Sequence, residues 1–310
     1  MNYETSMLVG YTGFVGSNLD SSHKFTYRIN SKNSDEAIGK SPDLLIFAGL
    51  RAEKYLANKA PEKDFEEIKR AFSQIKGIDA KKVVLISTVD VYKTLVNVDE
   101  NTIIDIDGLN AYGFNRFKLE QMVREEYPDA LIVRLPGLFG KGLKKNFIYD
   151  YIHVIPTMLK AEKYKELAIK SNIIEKSYEL LDNGFYGCVD KENAVLKEEF
   201  KRVGFTALNF TDSRGVFQFY FLSRLYDDIM TALEHDIRLL NIATEPVSVA
   251  EVYRYVTGGG EFINEVSENP PKYDYRTLHF DLYGGHNGYF YDKSIVLNEI
   301  KEFIESEKHV

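Results

Sequence analysis

Gly10-Tyr11-Thr12-Gly13-Phe14-Val15-Gly16 follows a short apolar run, Ser6-Met7-Leu8-Val9, and leads into a helical stretch from Val15 to Leu19. Glycines at this spacing, between a strand and a helix, suit the capture of a pyrophosphate. One permits the tight turn, another lets backbone N–H groups approach the phosphates, and the third lets helix and strand pack closely. A nicotinamide dinucleotide is therefore expected against Gly10, Gly13, Phe14, Val15 and Gly16, with Ala48 and Gly49 beyond a later strand as further contacts. Dinucleotide sites that prefer NAD carry an acid at the end of the second strand to hold the ribose hydroxyls. The run Lys24 to Lys32 offers no carboxylate, whereas Arg28, Ser31 and Lys32 can meet a 2′-phosphate. NADP is the expected cofactor, with NAD as the alternative. Other chemistries are excluded. The single cysteine, Cys188, rules out an intrachain disulfide and a thiolate zinc site, and the six histidines show no metal-ligand spacing, so no metal is expected. A net charge of −8 argues against nucleic acid as a partner.

The elements that must position these residues alternate. Strands are expected at 6–9, 25–30, 43–48, 82–87 and 130–134, and helices at about 34–40, 61–75 and 112–126. In the second helix Phe65, Ile68, Phe72 and Ile75 recur at helical spacing. Strands apolar on both faces and separated by helices indicate a parallel sheet covered on both sides. After Gly142 the rhythm changes to charged helical segments, with no strand of comparable quality through residue 202. Sheet-like character returns with a strand at 206–209, a long apolar helix at about 217–233 and a strand at 239–243, and an amphipathic helix is expected near 293–306. The fold class is α/β, a doubly wound parallel (Rossmann) sheet with a smaller, mostly helical substrate-binding region. The expected division gives 1–142 and 203–244 to the dinucleotide-binding domain, and 143–202 and 245–310 to the substrate side.

Two further segments carry a family likeness. A strand ends in Ser87-Thr88-Val89-Asp90-Val91-Tyr92, and later comes Ala111-Tyr112-Gly113-Phe114-Asn115-Arg116-Phe117-Lys118-Leu119-Glu120. With the glycine turn, Arg134-Leu135-Pro136-Gly137-Leu138-Phe139-Gly140 and Leu240-Asn241-Ile242-Ala243, they make most of the chain resemble the extended short-chain dehydrogenase/reductase superfamily. That group comprises nucleotide-sugar epimerases, dehydratases and reductases. The resemblance implies that Tyr112 is the acid/base, Thr88 the hydroxyl that polarises the reacting oxygen, and position 116 the cation one turn on. The family places Lys there, and this chain has Arg116. Arginine keeps its charge, so it can stabilise a tyrosinate and bind the cofactor ribose, but it cannot shuttle a proton. Lys118 lies on another helix face.

Reaction type follows from the same loop. The family's dehydratases carry an Asp-Glu pair where this chain has Val89 and Asp90, so dehydration is disfavoured. The expectation is a 4-keto reductase or an epimerase acting on a nucleotide-activated sugar in surface-polysaccharide precursor synthesis. The alternatives are a non-catalytic cofactor-binding regulator and a reductase of a non-sugar carbonyl. Substrate contacts are expected from Asn146, Lys144 and neighbouring Lys145, with Arg276 or Arg214 able to clamp a phosphate. The span from Ser31 to Leu44 is too short for the family's third strand. A homodimer through helices 61–75 and 112–126 is a further implication of the resemblance. The N-terminus shows no signal segment and nowhere do ~18 apolar residues run together, so a cytoplasmic protein with no membrane partner is expected.

Overall fold

The computed structural model describes residues 3–307. Its centre is an all-parallel sheet in the order β12 (Leu239–Asn241), β5 (Leu131–Leu135), β4 (Lys82–Thr88), β3 (Leu44–Phe47), β1 (Ser6–Val9), β2 (Tyr27–Ile29). Alternate residues of each strand serve opposite helix layers. Leu8, Ile46, Val84 and Val133 pack with α1 (Phe14–Ser22) and α9 (Leu225–Glu234) through Leu19, Leu225, Ile229 and Leu233. Met7, Leu45, Val83 and Ile132 pack with α3 (Pro61–Ile78) and α4 (Ala111–Glu126) through Ile68, Ile75, Leu119 and Val123. This double burial is why the strands read as continuous apolar runs. Among the described residues β2 is an edge strand, and the short span to Leu44 holds no further strand.

The chain forms two compact units. Of the described residues, the first comprises 3–142, Phe217–Val247 and Lys272–Val296; the second comprises Leu143–Val216, Ser248–Pro271 and 297–307. Residues 203–216, expected with the cofactor side, lie in the second unit. Residues 245–247 and 272–296, expected on the substrate side, lie in the first. The first unit also contains α2 (Lys54–Lys59), which the sequence did not signal, and β6 (Gly137–Phe139), paired in parallel with β11 (Phe219–Phe221).

The second unit holds α5 (Phe147–His153), β7 (Met158–Lys160), α6 (Ala161–Lys170), α7 (Asn172–Lys176), β8 (Tyr178–Leu180), β9 (Phe185–Cys188), α8 (Ala194–Val203) and α10 (Val249–Val256). β7, β9 and β8 make a small antiparallel sheet within a region expected to be mostly helical. Strands of three or four residues are too short to show a period. Two further expectations fail nearby. The strand at 206–209 is a 3₁₀ turn, Ala207–Phe210. The helix at 217–233 begins only at Leu225, after β10 (Val216–Phe217) and β11, because Phe217, Phe219 and Phe221 alternate as a strand does. The remaining strand and α-helix among the described residues are β13 (Val247–Ser248) and α11 (Lys293–Glu307).

Candidate active site

The glycine turn joins β1 to α1. Gly10 has φ +90°, and a Cβ there would stand 2.4 Å from the Ala48 carbonyl oxygen. A Cβ on Gly16 would stand 2.0 Å from the Gly10 carbonyl oxygen, so only glycine lets α1 approach the turn. Gly13 is the residue before α1 and contributes no side-chain cap, so the first N–H groups of the helix have no capping oxygen from it. Arg28 stacks over the Tyr11 ring at 4.6 Å and is ion-paired with Asp20. Ser31 and Lys32 are exposed on the loop after β2, which Asn30 shapes by accepting from the Lys32 N–H at 2.8 Å. The glycine turn and β4 both lie at the carboxyl edge of the parallel sheet, where such sheets place their ligands.

At that edge β4 ends in Ser87 and Thr88. Thr88 Oγ1 accepts from the Asp90 N–H at 3.2 Å. α4 starts opposite, capped by Asn110, whose Oδ1 accepts from the Gly113 N–H at 3.1 Å. Asn58, on α2, accepts from the Tyr112 N–H at 3.0 Å. A Cβ on Gly113 would lie 2.1 Å from the Asp90 carbonyl oxygen, so this glycine permits α4 to close on the end of β4. Tyr112 is buried. Burial pushes its phenol above the ordinary value; the Arg116 guanidinium and a hydrogen bond with Thr88 pull it down, while Asp90 and Asp64 push it up. The two hydroxyls named from sequence are thus neighbours. Arg116 lies over the Tyr112 ring at 4.6 Å, but its terminal nitrogens donate to Asp64 at 3.1 to 3.3 Å and to the Arg51 carbonyl at 2.9 Å. Asp90 accepts from Lys54 Nζ at 2.7 Å. No sequence signal pointed to Lys54, Asn58 or Asp64 at this site.

Beneath the pair runs a buried polar network. Glu120, on α4, accepts from Ser87 Oγ at 2.5 Å and from Arg134 of β5 at 2.6 Å. Arg134 also donates to the Tyr92 hydroxyl at 2.7 Å, and Asn241 of β12 reaches the same oxygen at 3.0 Å. Glu120 and Arg134 are 1 % and 2 % exposed, so this ion pair is fully desolvated.

Three of the expected substrate contacts, Asn146, Arg214 and Arg276, are otherwise engaged. Asn146 caps α5, its Oδ1 accepting from Ile148 and Tyr149 N–H groups at 3.0 and 3.1 Å. Lys144 and Lys145 are exposed before it. Arg214 grips Asp212 at 2.8 and 3.0 Å and the Ser267 carbonyl at 2.6 Å. Arg276 pairs with Asp274 at 3.0 Å, donates to the Asn287 carbonyl at 2.7 Å and lies over the Tyr289 ring. Neither arginine therefore stands open as a phosphate clamp. Among the described residues no group of His, Cys, Asp and Glu could hold a metal ion, and no helix is long and apolar enough to cross a membrane.

No family model matches the sequence, and no curated protein matches it. Solved structures do match along nearly the whole chain. A dTDP-4-dehydrorhamnose reductase from Yersinia enterocolitica aligns with TM-score 0.65 and 13% identity over 98% of this chain and 100% of that one. The dTDP-4-dehydrorhamnose reductase of Bacillus anthracis in complex with NADP aligns at 0.63 and 15%, over 99% of each chain. RMD from Pseudomonas aeruginosa complexed with NADPH aligns at 0.62 and 14%, over 97% and 99%. A UDP-galactose 4-epimerase and an NDP-hexosamine 5,6-dehydratase also match. The fold is accordingly the Rossmann type shared by these nucleotide-sugar reductases, epimerases and dehydratases.

Proposed function

We propose that the chain is an NAD(P)-dependent oxidoreductase that acts on a nucleotide-activated sugar, as a 4-keto reductase, with NADP preferred over NAD. The observation that carries the reading is the Thr88–Tyr112 hydroxyl pair at the carboxyl edge of the sheet that also bears the glycine turn. The residues fit the dinucleotide: the turn is closed to any Cβ at Gly10 and Gly16, and a helix N-terminus without a side-chain cap from Gly13 follows it. Arg28, Ser31 and Lys32 would meet the 2′-phosphate, and Ala48 and Gly49 would line the cofactor side. The bound dinucleotide would supply a hydride. Thr88 would hold the sugar carbonyl oxygen, and Tyr112 would give that oxygen its proton. Burial holds the Tyr112 phenol in its protonated form, the form that gives a proton in reduction; an epimerase's first step needs the same group to take one. Arg116 would act on Tyr112 through its charge alone. The nucleotide-sugar contacts would include Lys144, which is exposed.

Tyr112→Phe is expected to lower the reductase rate at least about 100-fold, the lower range for a general acid, with NADPH affinity within a few-fold of wild type. Oxidation of NADPH and NADH with 4-keto nucleotide sugars, followed by absorbance, checks this. Full activity in the variant would remove Tyr112 from the mechanism. NADPH binding without turnover on any 4-keto sugar would favour a non-catalytic sensor, the reading that the Arg116–Asp64 pair supports. A cytoplasmic homodimer through α3 and α4 belongs to the same proposal. The outer face of α3 is charged, with Lys69–Glu66 and Arg70–Glu67 pairs, so such a dimer should weaken with salt in sedimentation.

A further inference from the structure

The cation expected one turn after Tyr112 is present as Arg116, ion-paired with Asp64 at 3.1 Å. A second cation enters from an element that the sequence did not reveal. Lys54, near the start of α2, donates to Asp90 Oδ1 at 2.7 Å. Asp90 is held against the start of α4, because Gly113 lets its carbonyl approach and its N–H is fixed on Thr88. α2 is itself tied to α4 through Asn58 and the Tyr112 N–H. The charges around Tyr112 can therefore be named element by element. Arg116 comes from its own helix, Asp64 from α3, and Asp90, beside the Thr88 hydroxyl, from the turn after β4. Lys54 comes from α2 by way of Asp90. Tyr273, whose phenol burial pushes up to about 12 with Asp90 adding to the rise, marks the remaining wall near Asp90. Without Lys54, Asp90 would oppose charge on Tyr112 with nothing beside it to offset the effect.

We propose that Lys54 is a positioning residue for proton donation by Tyr112, acting by holding and neutralising the Asp90 carboxylate. When the sugar carbonyl is reduced, the Tyr112 O–H bond breaks, its proton joins the carbonyl oxygen, and a phenolate is left. Each negative charge nearby makes that harder and each offset makes it easier. A half-exposed ion pair adds little to stability. Its effect falls instead on the buried phenol next to it. The catalytic half of this proposal rests on the reductase reading; the electrostatic half does not.

The test uses the full chain with a ring-fluorinated tyrosine at position 112, whose ionisation is followed by fluorine NMR without substrate. Lys54→Met should raise the titration midpoint by roughly half a unit or more, and Asp90→Asn should lower it. The double variant should match Asp90→Asn alone, since Lys54 acts only through Asp90. Lys54→Arg, which keeps the charge, should stay near wild type. An unmoved midpoint in Lys54→Met, or an equal shift with and without Asp90, overturns the proposal. With NADPH and a 4-keto nucleotide sugar, Lys54→Met should lower kcat about three- to tenfold while the KM for NADPH holds. Shifts as expected in a protein with no turnover sustain the coupling and overturn the reductase reading. Normal turnover with no shifts removes Lys54 alone.

Discussion

Gly13 and Gly16 meet different demands although the same motif contains both. Gly16→Ala would drive a methyl into the Gly10 carbonyl, whose own residue is fixed at φ +90° against Ala48. The turn must open, with an expected loss of about 2–4 kcal/mol and of NADPH binding together. Gly13→Ala meets only the Gly10 oxygen, at 3.3 Å, from a backbone φ of −79° that any residue adopts. Stability should stay within about 1 kcal/mol while NADPH affinity falls at least about tenfold, because the methyl stands where backbone donors would face phosphate. Thermal unfolding and NADPH fluorescence separate the two effects; undiminished affinity in Gly13→Ala would place the pyrophosphate elsewhere. A second prediction concerns Asp228, buried on α9 and hydrogen-bonded by Tyr220 at 2.5 Å and Tyr291 at 3.1 Å. Burial outweighs these donors and raises its pKa from 3.8 to about 6. The folded state thus binds this proton more tightly than the unfolded one. Its stabilising effect is full below about pH 4 and is lost as pH rises through about 6, by of order 3 kcal/mol. Asp228→Asn should abolish that slope in urea titrations at pH 4 to 7, and an unchanged slope would refute it. The glycine turn was legible because its chemistry is written in adjacent residues. The engagement of Arg116 was not, since Asp64 is distant in sequence. For Arg214 and Arg276 a signal was present: an aspartate two residues earlier in each case, at Asp212 and Asp274.

At the scale of elements, the Thr88–Tyr112 geometry depends on how β4, α4, β5 and β12 are pinned together. Glu120 is the pin, binding Ser87 at the end of β4 and Arg134 on β5, while Tyr92 and Asn241 extend the network to β12. Glu120→Ala leaves the Arg134 charge buried without a counter-ion and should cost about 3–5 kcal/mol. Replacing both Glu120 and Arg134 by leucine removes the orphaned charge, so the double variant should recover most of that stability. Urea denaturation measures both; equal loss in the single and double variants would show that packing, not charge burial, sets the cost. The long apolar strands and the three-to-four spacing of α3 showed plainly in the sequence because burial imposes a period over many residues. β7, β8, β9 and β11 were hidden or misread because a strand of three or four residues can satisfy either period. α2 escaped notice for a related reason. It buries only Ala57, so it has no apolar stripe to betray it.

At the scale of the whole chain, residues 155–206 form a module that leaves and returns at one point. The Ala207 N–H donates to the Val154 carbonyl at 2.7 Å, so the two ends of the excursion already touch. The buried cluster inside it, Ile155, Leu159, Leu167, Ile174, Tyr178, Leu196 and Phe200, is drawn entirely from the module. Its core is therefore its own, and the central sheet draws its two clusters from other residues. Excising the module and bridging Val154 to Ala207 with a short Gly-Ser link closes a small loop, whose entropic cost changes only slowly with length. The shortened chain should unfold cooperatively and bind NADPH within about threefold of the full chain, since the glycine turn and the Thr88–Tyr112 pair belong to the first unit. Turnover of a nucleotide sugar should fall by a factor of ten or more if this module belongs to the substrate side, because lost contacts worth about 1.4 kcal/mol suffice for each tenfold. Calorimetry and NADPH titration of the excised protein decide the first point. A broad transition with no NADPH binding would mean that the module is needed to hold the cofactor fold, and turnover at the full rate would place sugar recognition outside it.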